Sequence, residues 1–418
     1  MPRLAYLLKK FPRLSETFIL NELLGQEALG AEVTVFSRRP ADDEPRHPQL
    51  ARLRALVVQL PPSKEVDPWG ELFAEGDDEL LPRVRAAVAA LRPYGHPRFP
   101  SLLAEAVLLR RLAREQGVGH VHAHFATDGA LVAHLLHALG GPGYSLTLHA
   151  KDIYRDTVDA RLLDRLVAGS AFSVTVCDAN VEHLRGMLGA DALSRVRRLY
   201  NGIDLALFAP DGRVGDADHV LSIGRLVEKK GFLVLLDALA LLAREGRAVR
   251  ATLVGEGEDR ALIEARVAEL GLSGRVRLAG ALPQDAVLDL MRSATLFALP
   301  CLVGEDGNRD ALPTVLLEAL AAGLPCVSTP VTGIPEILDG GRAGVLVPER
   351  DAPATARALA ALLDDPERRA RLSRAGRAHA QRCFDLAVQA HVLQGWFAQA
   401  LAAAATPAAG RPTCTSPA

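Results

Sequence analysis

What most limits the folds open to this chain is a rhythm: short β-rich runs alternate with segments of helical spacing, in two successive series. LAYLLK (4–9), EVTVFSR (32–38), ALVVQL (55–60), HVHAHFA (120–126), YSLTLHA (144–150), FSVTVC (172–177) and RVRRLYN (195–201) make the first series. HVLSIGR (219–225), ATLVGEG (251–257), RVRLAG (275–280), ATLFALP (294–300), PCVSTP (325–330) and AGVLVP (343–348) make the second. The segments between them carry apolar residues at helical intervals, as in SETFILNELLGQEALG, where Phe18, Leu20, Leu23, Leu24 and Ala28 can share one face. Strand, helix, strand in series means a parallel sheet with helices on both faces. The polar, glycine-bearing passage LFAPDGRVGDADH (207–219) interrupts the rhythm and reads as a linker. The expectation is therefore an α/β chain of two doubly wound domains, 1–206 and 219–380, joined by 207–218. Ligands should gather in the cleft between them, at the carboxyl ends of strands.

Composition narrows the function. The formal net charge of −2 over 418 residues leaves no electrostatic footprint for nucleic acid, so none is expected as a partner. Five scattered cysteines lack metal-ligand spacing and read as reduced thiols of a cytoplasmic protein. No run approaches a membrane span, and the apolar start is broken by Lys9 and Lys10. Only six of the 48 basic residues are lysine, at 9, 10, 64, 151, 229 and 230. A GC-rich genome explains that bias, and it leaves the surviving lysines as places where a compact ammonium has a use.

The chemistry concentrates in EDGNRDALPTVLLEALAAGLPCVSTP (305–330). Pro313 suits the first turn of a helix running to about Ala322, with Gly323 ending it. Asp310 stands on the entering loop and Glu318 in the second turn, so two carboxylates flank a helix start whose amides favour an anion. In SIGRLVEKKGF (222–232), Arg225 and Lys230 lie across a turn and can reach one diphosphate, Arg as a fork and Lys as a point charge. A solvated basic turn is the plainer reading of that spacing, and Lys229 reads as a surface residue. VGEGEDR (254–260) is a partial dinucleotide fingerprint with Arg260 where a third small residue belongs. In VTGIPEIL (331–338), a second glycine-bearing turn, backbone amides around Gly333 are placed to hold phosphate.

In the first series, KKFPRLSETFILNE (9–22) joins strand to helix, with Ser15 as the N-cap. His122 and His124 share one side of a strand, and no third metal ligand is evident beside them. TLHAKDIY (147–154) places His149, Lys151 and Asp152 at a strand's carboxyl end, where a doubly wound sheet does its chemistry; a structural histidine bonded to Asp152 is the plainer alternative. Seven arginines between Arg83 and Arg114 form either a solvated helix face or a surface for anionic lipid or an acceptor diphosphate.

Taken together, the acid, seven residues, Glu pattern with EALAAGLPCVST behind it resembles the nucleotide-sugar motif of family 4 glycosyltransferases, which have the GT-B fold. GEDGNRDALP and FPRLSETFILNE resemble the subset that builds bacterial exopolysaccharides of the colanic-acid type. The resemblance spans residues 9 to about 348 and implies roles. Arg225 and Lys230 would neutralise the donor diphosphate, Glu318 would hold ribose hydroxyls, Asp310 sugar hydroxyls, and His149 would contact the transferred sugar. Gly257, Ala311, Leu312, Pro313, Thr314 and Gly333 would line the donor site; Arg13, Ser15, Glu16, Thr17, His124 and Asp152 would face the acceptor. The same resemblance implies that the apolar helix at 381–404 crosses back onto the first domain, leaving 405–418 as a disordered tail.

The expected function is retaining sugar transfer from a nucleotide-diphosphate sugar to a saccharide acceptor, lipid-linked, in cell-surface polysaccharide synthesis. It needs no cofactor and no metal; Asp216-Ala217-Asp218 is the one Asp-x-Asp, in the linker rather than at a strand's carboxyl end. The location expected is the cytoplasm, with peripheral contact at the inner face of the plasma membrane. Three competitors share parts of the pattern: a nucleotide-sugar 2-epimerase, a dinucleotide-dependent oxidoreductase and a non-catalytic nucleotide-sugar sensor.

Overall fold

A computed structural model describes residues 3–13, 16–43, 46–67, 70–71, 77–210 and 218–405. Ser15, the linker core with Asp216 and Ala217, and the tail from 406 lie outside the described residues. Each β-rich run becomes a strand. The first series gives β1 (Arg3–Leu8), β2 (Val33–Ser37), β3 (Leu56–Gln59), β4 (Val118–His124), β5 (Gly143–Leu148), β6 (Ser173–Thr175) and β7 (Val196–Arg198). The second gives β8 (His219–Ile223), β9 (Arg250–Val254), β10 (Val276–Gly280), β11 (Leu296–Leu299), β12 (Cys326–Ser328) and β13 (Val345–Leu346).

The strands assemble into two sheets, ordered β3-β2-β1-β4-β5-β6-β7 and β10-β9-β8-β11-β12-β13, with every described pairing between them parallel. In each sheet the order reverses beside the first strand, between β1 and β4 and between β8 and β11. The loops leaving such neighbours turn to opposite faces and open a crevice at the strands' carboxyl ends. That is the two-domain α/β architecture expected.

Period-two alternation divides the first sheet's faces. Ala5, Leu7, Val121, Ala123, Leu146 and Leu148 pack to one side. Leu4, Tyr6 and Leu8 pack to the other, with Ile19, Leu20 and Leu23 of the helix Thr17–Ala28 and with Leu393 and Phe397 of the last helix, Leu386–Ala405. The last helix therefore crosses back onto the first domain. Gln26 Nε2 donates to Ala390 O at 2.9 Å, and Trp396 meets Phe172 edge-on at 5.8 Å. Two details of the first helix differ from expectation. Its N-cap position is Glu16, whose carboxylate pairs with Arg13 at 2.8 Å, and Ala28 is exposed while Ile19 takes its place in the core.

One side chain couples the two domains at the crossing. Glu336, from the short helix Ile334–Ile337, accepts the amides of Asp178 (2.9 Å) and Ala179 (3.0 Å) at the start of the helix Asp178–Arg185, and the Tyr200 hydroxyl at 3.0 Å. A carboxylate from one domain thus caps a helix of the other. Glu336→Ala is expected to destabilise the protein in urea melts by about 1–2 kcal/mol, the range for a lost cap. Glu336→Gln, which keeps an acceptor oxygen, should lose less.

Candidate active site

The second domain's part of the site grows from the switch point of its sheet. After β8 the chain turns through Gly224 and the exposed Arg225 into the 3-10 turn Glu228–Lys230. After β11 it runs through Cys301 to Asp310. The two loops meet in a tight ionic contact: the Asp310 carboxylate takes Lys230 Nζ at 2.5 Å on Oδ2 and Lys229 Nζ at 2.9 Å on Oδ1. Both ammonium groups hold the Asp310 carboxyl far below its ordinary range despite burial, and Asp310 in turn raises Lys230. Lys229 is therefore no surface residue; its side chain is 14% exposed and completes the cluster. The expectation for it failed because its partner stands 81 positions away in the chain.

The helix Thr314–Ala321 begins where expected, with Pro313 at the N-cap and Gly323 in the left-handed conformation (φ 76°) behind its end. Ala311 and Leu312 are buried beneath the loop. The amides of Thr314 and Val315 fall in the first turn, where no intrahelical acceptor exists. Glu318 lies half-buried on this helix, and no hydrogen bond or ion pair reaches its carboxylate among the described residues. Burial alone pushes its carboxyl up to about 7.

Two glycines of the expected donor site turn out to serve packing between loops. A Cβ on Gly257 would lie 2.2 Å from Leu226 O, so its absence lets the turn after β9 seat against the turn after β8. A Cβ on Gly333 would lie 2.5 Å from Ala311 O. The Gly333 amide donates to that same oxygen at 3.0 Å, so it supports the Asp310 loop and is not free for phosphate.

The first domain contributes a buried polar stripe. His120, His122 and His124 line one face of β4, and Ser145 and Thr147 line the same face of β5. Ser145 Oγ lies 2.8 Å from both His120 Nε2 and His122 Nδ1, and Thr147 Oγ1 lies 2.9 Å from His122 Nε2. His124 Nδ1 faces His149 Nε2 at 3.2 Å and its Nε2 faces Glu22 Oε1 at 3.3 Å, an oxygen that also accepts the Tyr6 hydroxyl at 2.8 Å. Burial above all holds His149 well below the ordinary imidazole range, so its ring is neutral at pH 7. Phe125 packs on it with ring centres 4.2 Å apart, and Lys151 Nζ stands 3.8 Å above the Phe125 ring. Phe125 is held at φ 72°, a conformation that a non-glycine residue adopts at a cost and that aims its ring at the histidine.

Asp152 and His149 form a capping box at the turn after β5: Asp152 Oδ2 accepts the His149 backbone amide at 2.9 Å and the His149 side chain faces the Asp152 backbone N–H in return, while the ring's Nε2 faces His124. The third polar group missing beside His122 and His124 is Glu22: the three ligand-type atoms lie within 4.8 Å of one another. Both nitrogens of His122 are already engaged by the Ser145 and Thr147 hydroxyls, and this cluster is a hydrogen-bonded network. Glu22, Tyr6 and Phe125 escaped the sequence reading. Glu22 was visible as the last residue of FPRLSETFILNE, but helix periodicity gave it no distinction.

Across the cleft, the two halves touch through the loop at 304–310. The Arg309 guanidinium covers the Tyr154 ring at 4.5 Å, and Arg155 pairs with Asp306 at 3.5 Å. Asp310 and His149 thus belong to segments that meet. Arg13, Glu16 and Thr17 lie on the loop after β1 and the helix start, where Arg13 also approaches Asp42 at 3.7 Å. The arginine-rich stretch is largely paired: Arg110 with Asp77, Arg111 with Glu71 (2.6 Å) and Glu115 (2.8 Å), Arg98 with Asp128, and Arg83 with Glu79 (2.6 Å). No helix among the described residues is long and apolar enough to cross a membrane.

Known proteins resemble this chain in sequence and in fold. The family described as Glycosyltransferase Family 4 matches residues 15–207, and the one described as Glycosyl transferases group 1 matches residues 206–379. The amylovoran biosynthesis glycosyltransferase AmsK of Erwinia amylovora is 29% identical over 374 residues, covering 86% of this chain and 89% of its own. The putative colanic acid biosynthesis glycosyltransferase WcaL of Salmonella typhimurium is 27% identical over 384 residues, covering 86% and 90%. Among solved structures, Anabaena Alr3699/HepE in complex with UDP and glucose superposes with a TM-score of 0.72 at 16% identity, over 95% of this chain and 100% of that one. The chain belongs to the glycosyltransferases, its first half of the family 4 type and its second half of group 1.

Proposed function

We propose that this glycosyltransferase moves a sugar, with retention of anomeric configuration, from a nucleotide-diphosphate sugar to a saccharide acceptor in exopolysaccharide synthesis. The observation that carries the donor reading is the cluster at the second sheet's switch point. Two cations, Lys229 and Lys230, pair with one carboxylate, Asp310, and the exposed Arg225 is close enough to Lys230 for their charges to repel, so the loops carry positive charge to spare. A diphosphate suits that field and the open first turn of Thr314–Ala321. The UDP and glucose held by HepE, on a similar fold, support the same donor chemistry here. The amylovoran and colanic-acid roles of the relatives support an exopolysaccharide product, and a lipid-linked acceptor is the form such a growing chain takes in this proposal.

Each group then has a task. Arg225 and Lys230 stabilise the departing diphosphate as its charge develops. Glu318, whose carboxylate has no partner among the described residues, accepts the ribose hydroxyls. Asp310 holds Lys229 and Lys230 in place and offers its remaining lone pairs to sugar hydroxyls. His149, neutral and fixed between Phe125 and His124, contacts the sugar from the other domain. With no evident nucleophile at the sugar, the acceptor hydroxyl attacks on the face the diphosphate leaves.

Arg225→Ala removes an exposed side chain and should leave folding intact while lowering turnover on the order of 10²-fold, the scale for one preorganised charge donor. Steady-state kinetics with the donor found by thermal-shift screening checks this, and a change of only a few-fold would remove Arg225 from the site. Glu318 makes nucleotide binding pH-dependent. Its carboxyl, raised from 4.5 to about 7, must ionise to accept two hydroxyls, so nucleotide affinity should rise between about pH 6 and pH 8. Glu318→Gln should flatten that rise in calorimetric titrations. The same shift has the opposite sign for the free protein: the folded state holds the proton more tightly, so stability falls as pH rises from 4.5 through about 7. Finally, transfer should persist in excess EDTA, because protein cations already face the leaving group. Loss of activity in chelator, restored by Mg²⁺ or Mn²⁺, would overturn that charge assignment.

A further inference from the structure

We propose that Lys151, together with Lys9 and Arg13, forms a subsite for a phosphoryl group carried by the acceptor. The inference rests on the reading of the first domain as the side that receives the acceptor. It goes further by naming the chemical class of that acceptor, a phosphate ester, and the side chains that meet it.

The lysines of this chain are few, and five of the six stand on loops that follow strands. Lys229 and Lys230 are engaged by Asp310 in the second domain. Lys9 and Lys10 follow β1 and Lys151 follows β5, all in the first domain. In a chain that uses arginine for most of its positive charge, a lysine at such a place supplies a compact ammonium, a point charge on a flexible stem.

The cations of the first domain are unequally matched. Lys10 pairs with Asp42, and Arg13 pairs with Glu16 at 2.8 Å. Arg13 Nε approaches Asp42 at 3.7 Å but is buried with no hydrogen-bond partner among the described residues. Lys9 is exposed. Lys151 Nζ stands over the Phe125 ring at 3.8 Å, and among the described residues no hydrogen bond or ion pair reaches it. Burial above all lowers the Lys151 pKa, and the like charges of Lys9 and Arg13 add to that effect, while Asp152 and Glu16 oppose it. Neither acid is placed to serve as its counter-ion: Asp152 Oδ2 accepts the His149 amide, and Glu16 is held by Arg13.

An arriving anion relieves the repulsion among Lys9, Arg13 and Lys151 at once. A phosphoryl group suits the task, because its several oxygens can be shared by an ammonium acting as a point charge and by a guanidinium donor. The place also fits. Phe125 touches both Lys151 and the His149 ring, the latter with ring centres 4.2 Å apart, so the subsite adjoins the histidine read as meeting the transferred sugar.

Six lysines allow the subsite to be followed residue by residue. In protein labelled at lysine ¹³Cε, with signals assigned by single lysine-to-arginine variants, farnesyl diphosphate and glucose 1-phosphate should shift Lys151 and Lys9, and should raise the pH at which Lys151 loses its proton. Glucuronic acid at the same concentration should leave both signals in place. A response to farnesyl diphosphate alone assigns the group to a lipid carrier, a response to glucose 1-phosphate alone assigns it to a phosphorylated sugar, and either supports the subsite. Lys151→Met keeps an unbranched apolar stem over Phe125 and should weaken phosphate binding, followed at the Lys9 signal, about tenfold, the scale of a lost hydrogen bond to a charged group. Lys151→Arg should recover part of that loss. Shifts confined to Lys229 and Lys230, no shift with either phosphate, or glucuronic acid moving Lys151 as far as the phosphates do would each overturn the proposal. So would a folded Lys151→Met protein with wild-type affinity. The titrations use free protein without donor: failure to transfer sugar from any nucleotide donor would refute the proposed function and leave the phosphate result standing, whereas normal transfer with a silent Lys151 would sink the subsite alone.

Discussion

A buried carboxylate between two lysines holds the cleft of this enzyme together. Asp310 is almost out of reach of water, and an isolated carboxylate there would be protonated or expelled. Lys229 and Lys230 prevent both outcomes, and they do so by tying the loop after β11 to the turn after β8. The contact is costly to form, since three ions leave water, and its gain is geometric as much as energetic. Its result is a cationic wall fixed before any ligand arrives. Gly333 and Gly257 serve the same end, each allowing a neighbouring turn to come within van der Waals reach.

The facing wall follows a different physical logic. The first domain buries three histidines in a row on β4, with hydroxyls on β5 to receive them. Buried polar groups are tolerated when every member of a network has a partner. Desolvation keeps His122 and His149 uncharged, so this wall offers directed hydrogen bonds where the other offers charge. A donor with an anionic leaving group at one end and a neutral sugar at the other matches that division. The loop carrying Arg309 and Asp306 links the two walls.

Much of this was legible in the sequence, and the reason is local. Strand and helix are set by periodicities of a few residues, so every β-rich run became a strand. The helix start at Pro313 and its glycine stop were likewise short-range signals. What stayed hidden depends on chain-distant partners. Lys229 looks like a solvated neighbour of Lys230 until Asp310 is placed beside both. Gly333 looks like a phosphate loop until its amide is found on Ala311. Asp152 sits three residues from His149 and shares a capping turn with it, whereas the ring's Nε2 faces His124, which in turn meets Glu22 on another element altogether. Spacing could not foresee that second contact.

The crossing helix has a consequence for how the chain is made. The face of the first sheet that carries Tyr6, His122 and Phe172 is closed by Phe397 and Leu393, residues near the end of the sequence. A ribosome delivers them after every strand of both sheets. Until then the first helix covers only part of that face, and the patch over His122 and Phe172 lacks the side chains that close it in the finished protein, while the carboxyl-terminal sheet can already close on its own core. Domain-by-domain folding in order of synthesis, the usual course for large chains, is thereby inverted in its last step. The first domain to emerge is thus completed only after the second has been synthesised.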